Sequence, residues 1–240
     1  MADNGREGLA GGPDATSRRR RYWWWTVIRR IGQGLMLAGL LVVLFIVWEL
    51  WGTNWITHRA QTRLRNEFRE KIAEIAPPPP SAAPGVSATT KPPPDAVLLP
   101  PAGGALARIE IPKIGVDSIV VEGVDAGALR NGPGHYPGTP LPGDAGNVVI
   151  SGHRTTYGAP FNNLDELAGG DEIVLETTGG RFLYRIEDVF VVEPTDLSVT
   201  ASDPARQELT LTTCTPKFSA SQRLIVRARQ EGDAQAVRTI

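Results

Sequence analysis

The 240-residue sequence contains very little cysteine, histidine and methionine: one Cys, three His and two Met. A single cysteine excludes an intramolecular disulfide and any metal cluster that is held by several thiolates. The chain also lacks an excess of charge of either sign, since its formal net charge is −1. Without a strongly basic surface, no nucleic-acid partner is expected.

The residues that are present are distributed unevenly. All six Trp lie between Trp23 and Trp55, and ten of the twenty Pro lie between Pro77 and Pro101. Residues 1–30 carry a net charge of +4, whereas residues 105–229 carry −5. This distribution predicts a basic N-terminus, an apolar segment flanked by Trp, a Pro-rich stretch and one globular domain of about 125 residues.

Residues 31–51 form an apolar run with a single charge, Glu49. As an α-helix this run is about 31 Å long, which matches the hydrocarbon thickness of a bilayer. Trp residues at both ends suit the two membrane interfaces. We therefore expect a transmembrane helix that contacts membrane lipid through residues 31–51. A cleaved signal peptide is the alternative, but the run is longer than the usual apolar core of about 7–15 residues.

Charge predicts the orientation of this helix. Six Arg between Arg18 and Arg30 predict that residues 1–30 lie in the cytoplasm. The chain then crosses the cell membrane once, and everything after the helix lies outside. Residues 52–76 alternate charges at helical spacing, and we expect a solvated juxtamembrane stalk that is helical. Residues 77–104 are rich in Pro, which predicts an extended linker. A ligand for a proline-binding domain is the alternative.

The remainder of the chain predicts an all-β domain. Short runs rich in Val, Ile, Leu and Thr alternate with Gly, Pro, Asp and Asn, and one helical turn is expected at 161–167. The alternation favours a barrel or a sandwich and does not choose between them. The expected strands cover residues 107–112, 117–123, 147–153, 171–177, 182–192, 208–214 and 223–229.

Three residues at the ends of these strands carry the candidate chemistry. His153 and Cys214 each end a predicted strand, and Arg223 begins the strand after Cys214. A lone Cys is usually a small buried hydrophobic residue, and a lone His is usually structural. Together, in an extracytoplasmic domain without other cysteines, they suit a Cys–His nucleophilic pair. Because 61 residues separate them, only the tertiary fold can bring them together.

These residues closely resemble the sortases, and the detailed pattern is most like class E. The family signature is a TLxTC strand end, a distant His and an Arg on the strand after the Cys. Here it reads TLTTC at 210–214, SGHRTTYGAPF at 151–161, and Arg223 in CTPKFSASQRLIV at 214–226. The blocks GPGHYPGTPLPGDAGN at 132–147 and FNNLDEL at 161–167 also resemble the family. The resemblance covers about 125 residues.

The resemblance implies an eight-stranded sortase-type β-barrel with short helices over 105–232, followed by a tail at 233–240. It also implies a transpeptidase that cleaves a C-terminal LAxTG-like or LPxTG-like sorting signal between Thr and Gly. Secreted proteins with such a signal, and a peptidoglycan amine that accepts the acyl group, are the implied partners. Cys214 would be the nucleophile, His153 the general acid and base, and Arg223 the stabiliser of the oxyanion.

Further site residues follow from the same blocks. We expect Tyr136, Ser151, Thr212 and Thr213 to contact substrate, and the resemblance links Tyr136 to a preference for Ala over Pro at the second motif position. His135 is less suited than His153 to be the catalytic histidine, because the family's His belongs to the GHR block. The acidic run from Asp165 to Glu176 lacks the ligand spacing of a calcium loop. We therefore expect no metal and no other cofactor.

Other functions are compatible with parts of this pattern. A pilin-polymerising sortase would share the catalytic residues, and a hydrolytic cysteine protease is chemically close. An L,D-transpeptidase is disfavoured because its His and Cys are close together in the sequence. A non-catalytic membrane-tethered binding domain would leave the coincidence of Cys214, His153 and Arg223 unexplained.

Overall fold

The computed structural model describes residues 15–48, 53–75 and 99–235. The chain divides into two compact units, Met1–Glu49 and Leu50–Ile240. Most of the predicted Pro-rich linker, the first 14 residues and the last five lie outside the described residues.

The first unit contains helix α1 (Ala15–Val47). Its segment Trp23–Val47 is long and apolar enough to cross a membrane, and none of this segment is buried within the protein. The helix therefore begins well before the predicted start at residue 31, since the Arg and Trp residues continue the same helix. The predicted end at Trp51 lies outside the described residues.

The second unit is built on a closed β-barrel with the strand order β1-β2-β3-β4-β7-β8-β6-β5. Two neighbouring pairs, β2 with β3 and β4 with β7, are parallel. The strands are β1 (Ala105–Ile111), β2 (Val116–Glu122), β3 (Gly134–His135), β4 (Gly146–Ser151), β5 (Glu172–Thr177), β6 (Gly180–Val192), β7 (Gln207–Thr215) and β8 (Gln222–Gln235).

The eight-stranded barrel predicted from the family resemblance is confirmed. Its interior is filled by apolar residues that alternate along the strands, such as Val148 and Ile150 of β4 and Leu209 and Leu211 of β7. Alternation of this kind places every second side chain on the opposite, outer face. Between the strands lie a short helix, α3 (Ala126–Leu129), and 3₁₀ turns at 112–114, 164–166 and 197–200.

Helix α2 (Thr53–Ile75) packs against the barrel, in contrast to the solvated stalk that we expected for residues 52–76. Leu64 and Phe68 are 1% and 3% exposed and join a cluster with Ile119 and Val121 of β2. Burial of each of these two side chains contributes about 1.5–3 kcal/mol. One face of α2 therefore belongs to the folded domain.

Polar contacts fix the position of α2 along β2. The amide of Gln61 donates to the carbonyl oxygens of Ile119 and Asn131, and its oxygen accepts from the backbone N–H of Ile119 at 2.7 Å. Arg65 donates to the carboxylate of Asp117 at 2.9 Å. A side-chain amide that pairs with the backbone of a strand specifies one register, because a shift along the strand would leave buried polar groups without partners.

Candidate active site

Cys214 and Arg223 are direct partners in the antiparallel ladder of β7 and β8. Leu211 of β7 and Val226 of β8 point into the core, so Cys214 and Arg223 both lie on the outer face. Side chains of opposed residues in such a ladder have Cβ atoms about 4.5–5.5 Å apart. The thiol and the guanidinium therefore emerge side by side from the barrel wall, and both residues are partly exposed.

His153 reaches the same place through the parallel pairing of β4 with β7. Ser151 is level with Thr212 in that pair, so His153 and Cys214, each two positions further on, lie at the same end of the two strands. The N–H of Gly152 donates to the carbonyl oxygen of Thr212 at 3.1 Å and continues the ladder by one step. The fold thus brings together the three residues that we predicted for catalysis.

The chain turns sharply after Gly152. A Cβ atom at this position would lie 2.5 Å from the ring of Phe161, and the N–H of Phe161 donates to the carbonyl oxygen of His153. Only glycine lets the buried Phe161 ring approach this closely, and that contact folds the 153–161 loop back on itself. The loop is therefore anchored at both ends next to His153.

The imidazole of His153 is partly buried in this loop. Burial, and secondarily the positive charge of Arg130, lower the pKa of His153 below its ordinary value of 6.5. Its ring lies 5.0 Å from the ring of Tyr157, measured between centroids. At pH 7 a His with a lowered pKa is mainly neutral, which is the form that accepts a proton.

His135 has a different environment. Its side chain is 1% exposed, and its Nδ1 lies 2.8 Å from a carboxylate oxygen of Glu122. Its Nε2 lies 3.0 Å from the carbonyl oxygen of Pro140 and near the hydroxyl of Thr139. With both nitrogens engaged inside the protein, His135 has a structural role, which supports the preference for His153.

The residues predicted to contact substrate divide between the two faces. Ser151 and Thr212 lie on the outer face beside Cys214. The N–H of Tyr136 donates to the carbonyl oxygen of Val149 and places Tyr136 opposite this outward-facing residue. Thr213 differs from our expectation: it is 2% exposed, and its hydroxyl donates to the carbonyl oxygen of Gly152. Its side chain therefore secures the His153 loop from the inner face.

The guanidinium of Arg223 is already directed by its own loop. Its Nη1 donates to the carbonyl oxygens of Ala220 and Gln222 at 3.1 and 3.0 Å. Because both bonds use the same nitrogen, they orient the planar group and do not occupy its other N–H groups. A fixed guanidinium beside a thiol is suited to stabilise negative charge on a nearby carbonyl oxygen.

Arg154, for which the sequence predicts no role, lies between the His153 loop and the end of β7. Its side chain is 4% exposed and pairs with Asp165 at 2.9 Å. It also donates to the hydroxyl of Thr215 and to the carbonyl oxygens of Cys214 and Asn162. Its only sequence signal is its position directly after His153, which does not distinguish a buried arginine from an exposed one.

Arg154→Lys is expected to lower kcat about tenfold and to lower the melting temperature. A lysine keeps the charge but cannot make the planar set of bonds that Arg154 makes to four residues, and small displacements of catalytic groups are costly. Peptide turnover and thermal unfolding measure the two effects. Arg206→Lys is the control, since Arg206 pairs with Glu208 at the far end of β7. Equal kinetics of the two variants would contradict a positioning role for Arg154.

Four of the five acidic residues from Asp165 to Glu176 pair with basic side chains. Besides Asp165, Asp171 bonds to Lys113 at 2.7 Å, and Glu172 bonds to Arg185 at 3.1 Å. Among the residues that the structure describes, no group of three or more His, Cys, Asp or Glu side chains is arranged to hold a metal ion.

A closed barrel that presents a cysteine, an arginine and a histidine at one end of adjacent strands defines a thiol-nucleophile site on an all-β scaffold. The family model described as the sortase domain matches residues 109–231, and the chain belongs to the sortase family. Sortase SrtE1 of Streptomyces coelicolor is 30% identical over 231 residues, 87% of this chain and 60% of that protein. The chain thus spans about three fifths of the length of this relative.

Solved sortase structures are similar in fold. A Clostridium perfringens sortase D5 transpeptidase has a TM-score of 0.56 and 28% identity, with 74% of this chain and 99% of that chain covered. Sortase E1 of Streptomyces coelicolor, solved with a tripeptide in the active site, has a TM-score of 0.52 and 31% identity. The match covers 55% of this chain and 91% of that one. The similarity to SrtE1 and to the sortase E1 structure makes the chain class E-like.

Proposed function

We propose that this protein is a membrane-anchored cysteine transpeptidase that cleaves an LAxTG-like or LPxTG-like sorting signal between Thr and Gly. The acyl group passes to a peptidoglycan amine, which attaches a secreted protein to the cell wall. The observation that carries the proposal is the cross-strand pair of Cys214 and Arg223, with His153 two residues beyond the end of the neighbouring parallel strand β4.

The first half of the proposed reaction forms a thioester. The neutral imidazole of His153 takes the proton of the Cys214 thiol, and the sulfur attacks the carbonyl carbon of the substrate Thr. Arg223 donates to the oxyanion that develops. The C–N bond to Gly then breaks, and His153 returns the proton to the departing amine. A lowered pKa favours this last step, since it makes the imidazolium a stronger acid.

The second half transfers the acyl group. An incoming amine loses a proton to His153 and attacks the thioester carbon, and Arg223 again stabilises the oxyanion. Collapse of the intermediate breaks the C–S bond, and the proton on His153 returns to the sulfur. The product contains a new amide bond, and the enzyme regains its starting form.

The charge and the apolar segment of the N-terminal unit support an extracytoplasmic enzyme. The arginines before Trp23 predict a cytoplasmic N-terminus, and the apolar segment Trp23–Val47 is the candidate membrane span. We infer that the barrel acts outside the cell, where secreted substrates and peptidoglycan precursors are available.

The full chain in detergent micelles, incubated with LAxTG and LPxTG reporter peptides with and without diglycine, tests the proposal. Cleavage with transfer of the acyl group to diglycine is expected. If the peptide is hydrolysed and no transfer product forms with diglycine, the protein is a protease. If neither peptide is cleaved, it is a binding domain.

Tyr136→Ala is expected to reduce the preference for LAxTG over LPxTG. The family resemblance links Tyr136 to the second motif residue, and its side chain is partly exposed on the same face as Ser151. The measurement is the ratio of kcat/KM for the two peptides. Tyr136→Phe, which keeps the ring, should retain the wild-type ratio. An unchanged ratio in the alanine variant would show that Tyr136 does not determine the preference between the two peptides.

A further inference from the structure

The loop that follows His153 contains a strained turn. Tyr157, Gly158 and Ala159 have φ angles of 51°, 75° and 43°. Glycine adopts this left-handed region without cost, whereas a residue with a side chain is disfavoured there by about 1–3 kcal/mol. Tyr157 and Ala159 lie on either side of Gly158 in this region. Contacts from the surrounding structure must therefore stabilise the turn.

The first turn of α2 provides these contacts. The N–H of Gly158 donates to the side-chain oxygen of Asn54 at 2.9 Å. Thr57 is 5% exposed, and its methyl carbon would lie 3.2 Å from a Cβ atom built on Gly158. The turn is therefore bonded to α2 through Asn54, and Thr57 lies close enough that a side chain at residue 158 would press against it.

The same helical turn is linked to two groups near the His153 ring, to Tyr157 through its neighbour Gly158 and to Arg130 through its backbone carbonyl. Tyr157 packs against the imidazole with an angle of 38° between the two planes, and the guanidinium of Arg130 lies 5.8 Å from the Tyr157 ring. The hydroxyl of Thr57 donates to the carbonyl oxygen of Arg130 at 2.9 Å. Displacement of this helical turn would thus move the ring of Tyr157 and the guanidinium of Arg130, which both affect His153.

We propose that Asn54 and Thr57 are positioning residues for His153, which act through the strained turn at Tyr157–Ala159. This inference rests on the proposed function of His153. It makes α2 part of the catalytic apparatus, although its sequence is separated from the barrel by the Pro-rich stretch. The helix that follows the candidate membrane span therefore helps to set the geometry of the active site.

Asn54→Ala in the full chain is the direct test, with Asn54→Asp and Asn66→Ala as matched variants. Aspartate retains an oxygen that accepts from Gly158, whereas alanine does not. Asn66 is an exposed residue of the same helix, so Asn66→Ala controls for loss of an asparagine from α2. Two quantities are measured: kcat/KM for peptide cleavage, and the pKa of His153 from NMR titration of the ring signals. The chain has three His, so the spectrum is simple to assign.

We expect Asn54→Ala to lower kcat/KM about tenfold and to raise the pKa of His153 toward 6.5. A released turn gives the imidazole more water and weakens the effect of Arg130, and both changes favour the protonated form. Asn66→Ala should resemble wild type in both measurements, and Asn54→Asp should retain most of the wild-type kcat/KM. The added carboxylate of Asn54→Asp itself raises the pKa of His153, so the pKa is compared between Asn54→Ala and Asn66→Ala. A general loss of stability would not move the pKa of His153 in a chain that remains folded.

Wild-type values of both quantities in Asn54→Ala would overturn the inference. The NMR titration also separates this inference from the proposed function. If wild type cleaves neither peptide, the transpeptidase proposal fails, while the shift of the His153 pKa in Asn54→Ala still decides whether α2 controls the histidine. If wild type transfers the acyl group and Asn54→Ala matches it, only the role of α2 is rejected.

Discussion

Cys214→Ala is expected to abolish cleavage of LAxTG and LPxTG peptides, with a loss of at least about 10⁴-fold in kcat. No second thiol exists in the chain to replace the nucleophile. The barrel should remain folded, because Arg154 bonds to the backbone oxygen of Cys214 and not to its sulfur. Peptide turnover and thermal unfolding of the full chain are the two measurements.

Mass spectrometry gives this prediction a second readout. Wild type incubated with peptide in the absence of an amine should accumulate one acyl adduct per chain, and Cys214→Ala should accumulate none. Turnover that persists in the alanine variant would exclude the thioester mechanism. An adduct on any other residue would place the nucleophile elsewhere.

Arg223→Lys is expected to lower kcat by about 10²–10³-fold. Lysine keeps the positive charge, but its ammonium group cannot retain the bonds to Ala220 and Gln222 and also present an N–H to an oxyanion beside Cys214. Loss of one such donor typically costs this much in kcat. Because the interaction forms as the oxyanion develops, KM should change much less.

Arg229→Lys is the matched control for this variant. Arg229 lies on the same strand and pairs with Glu187 at 2.9 Å, away from the paired position of Cys214. It should have wild-type kinetics. If Arg223→Lys also retained wild-type kcat, Arg223 would have a structural role in the loop between β7 and β8.

Strand periodicity predicted most of the barrel. All seven expected strands overlap observed ones, because their side chains alternate between the core and the outer face. β3 was not predicted, since Gly134 and His135 are too short a segment to show a pattern. The predicted turn at 161–167 contains the 3₁₀ turn at 164–166.

The docking of α2 was missed, although a signal was present. Leu64, Phe68 and Ile72 recur every four residues and form one apolar stripe on the helix. The many charged residues on the other faces suggested a solvated stalk. Which surface the stripe contacts depends on β2, which is distant in sequence.

The active site was also predicted only in part from the sequence. Chemistry and the order of motifs predicted Cys214, His153 and Arg223 as the catalytic residues. Thr213 was assigned to the substrate side, but strand alternation places it on the inner face beside Gly152. Arg154 and Asn54 were not identified, because their partners are the end of β7 and the loop after His153.

The sequence by itself determined the apolar segment, the strand-rich domain and the catalytic residue types, since each depends on local composition and periodicity. Only the tertiary structure decided that the parallel pairing of β4 with β7 places His153 and Cys214 at the same end of these two strands. It alone also showed that α2 supports the strained turn beside His153. Such contacts join segments far apart in the chain, and their geometry follows from the packing of the whole domain.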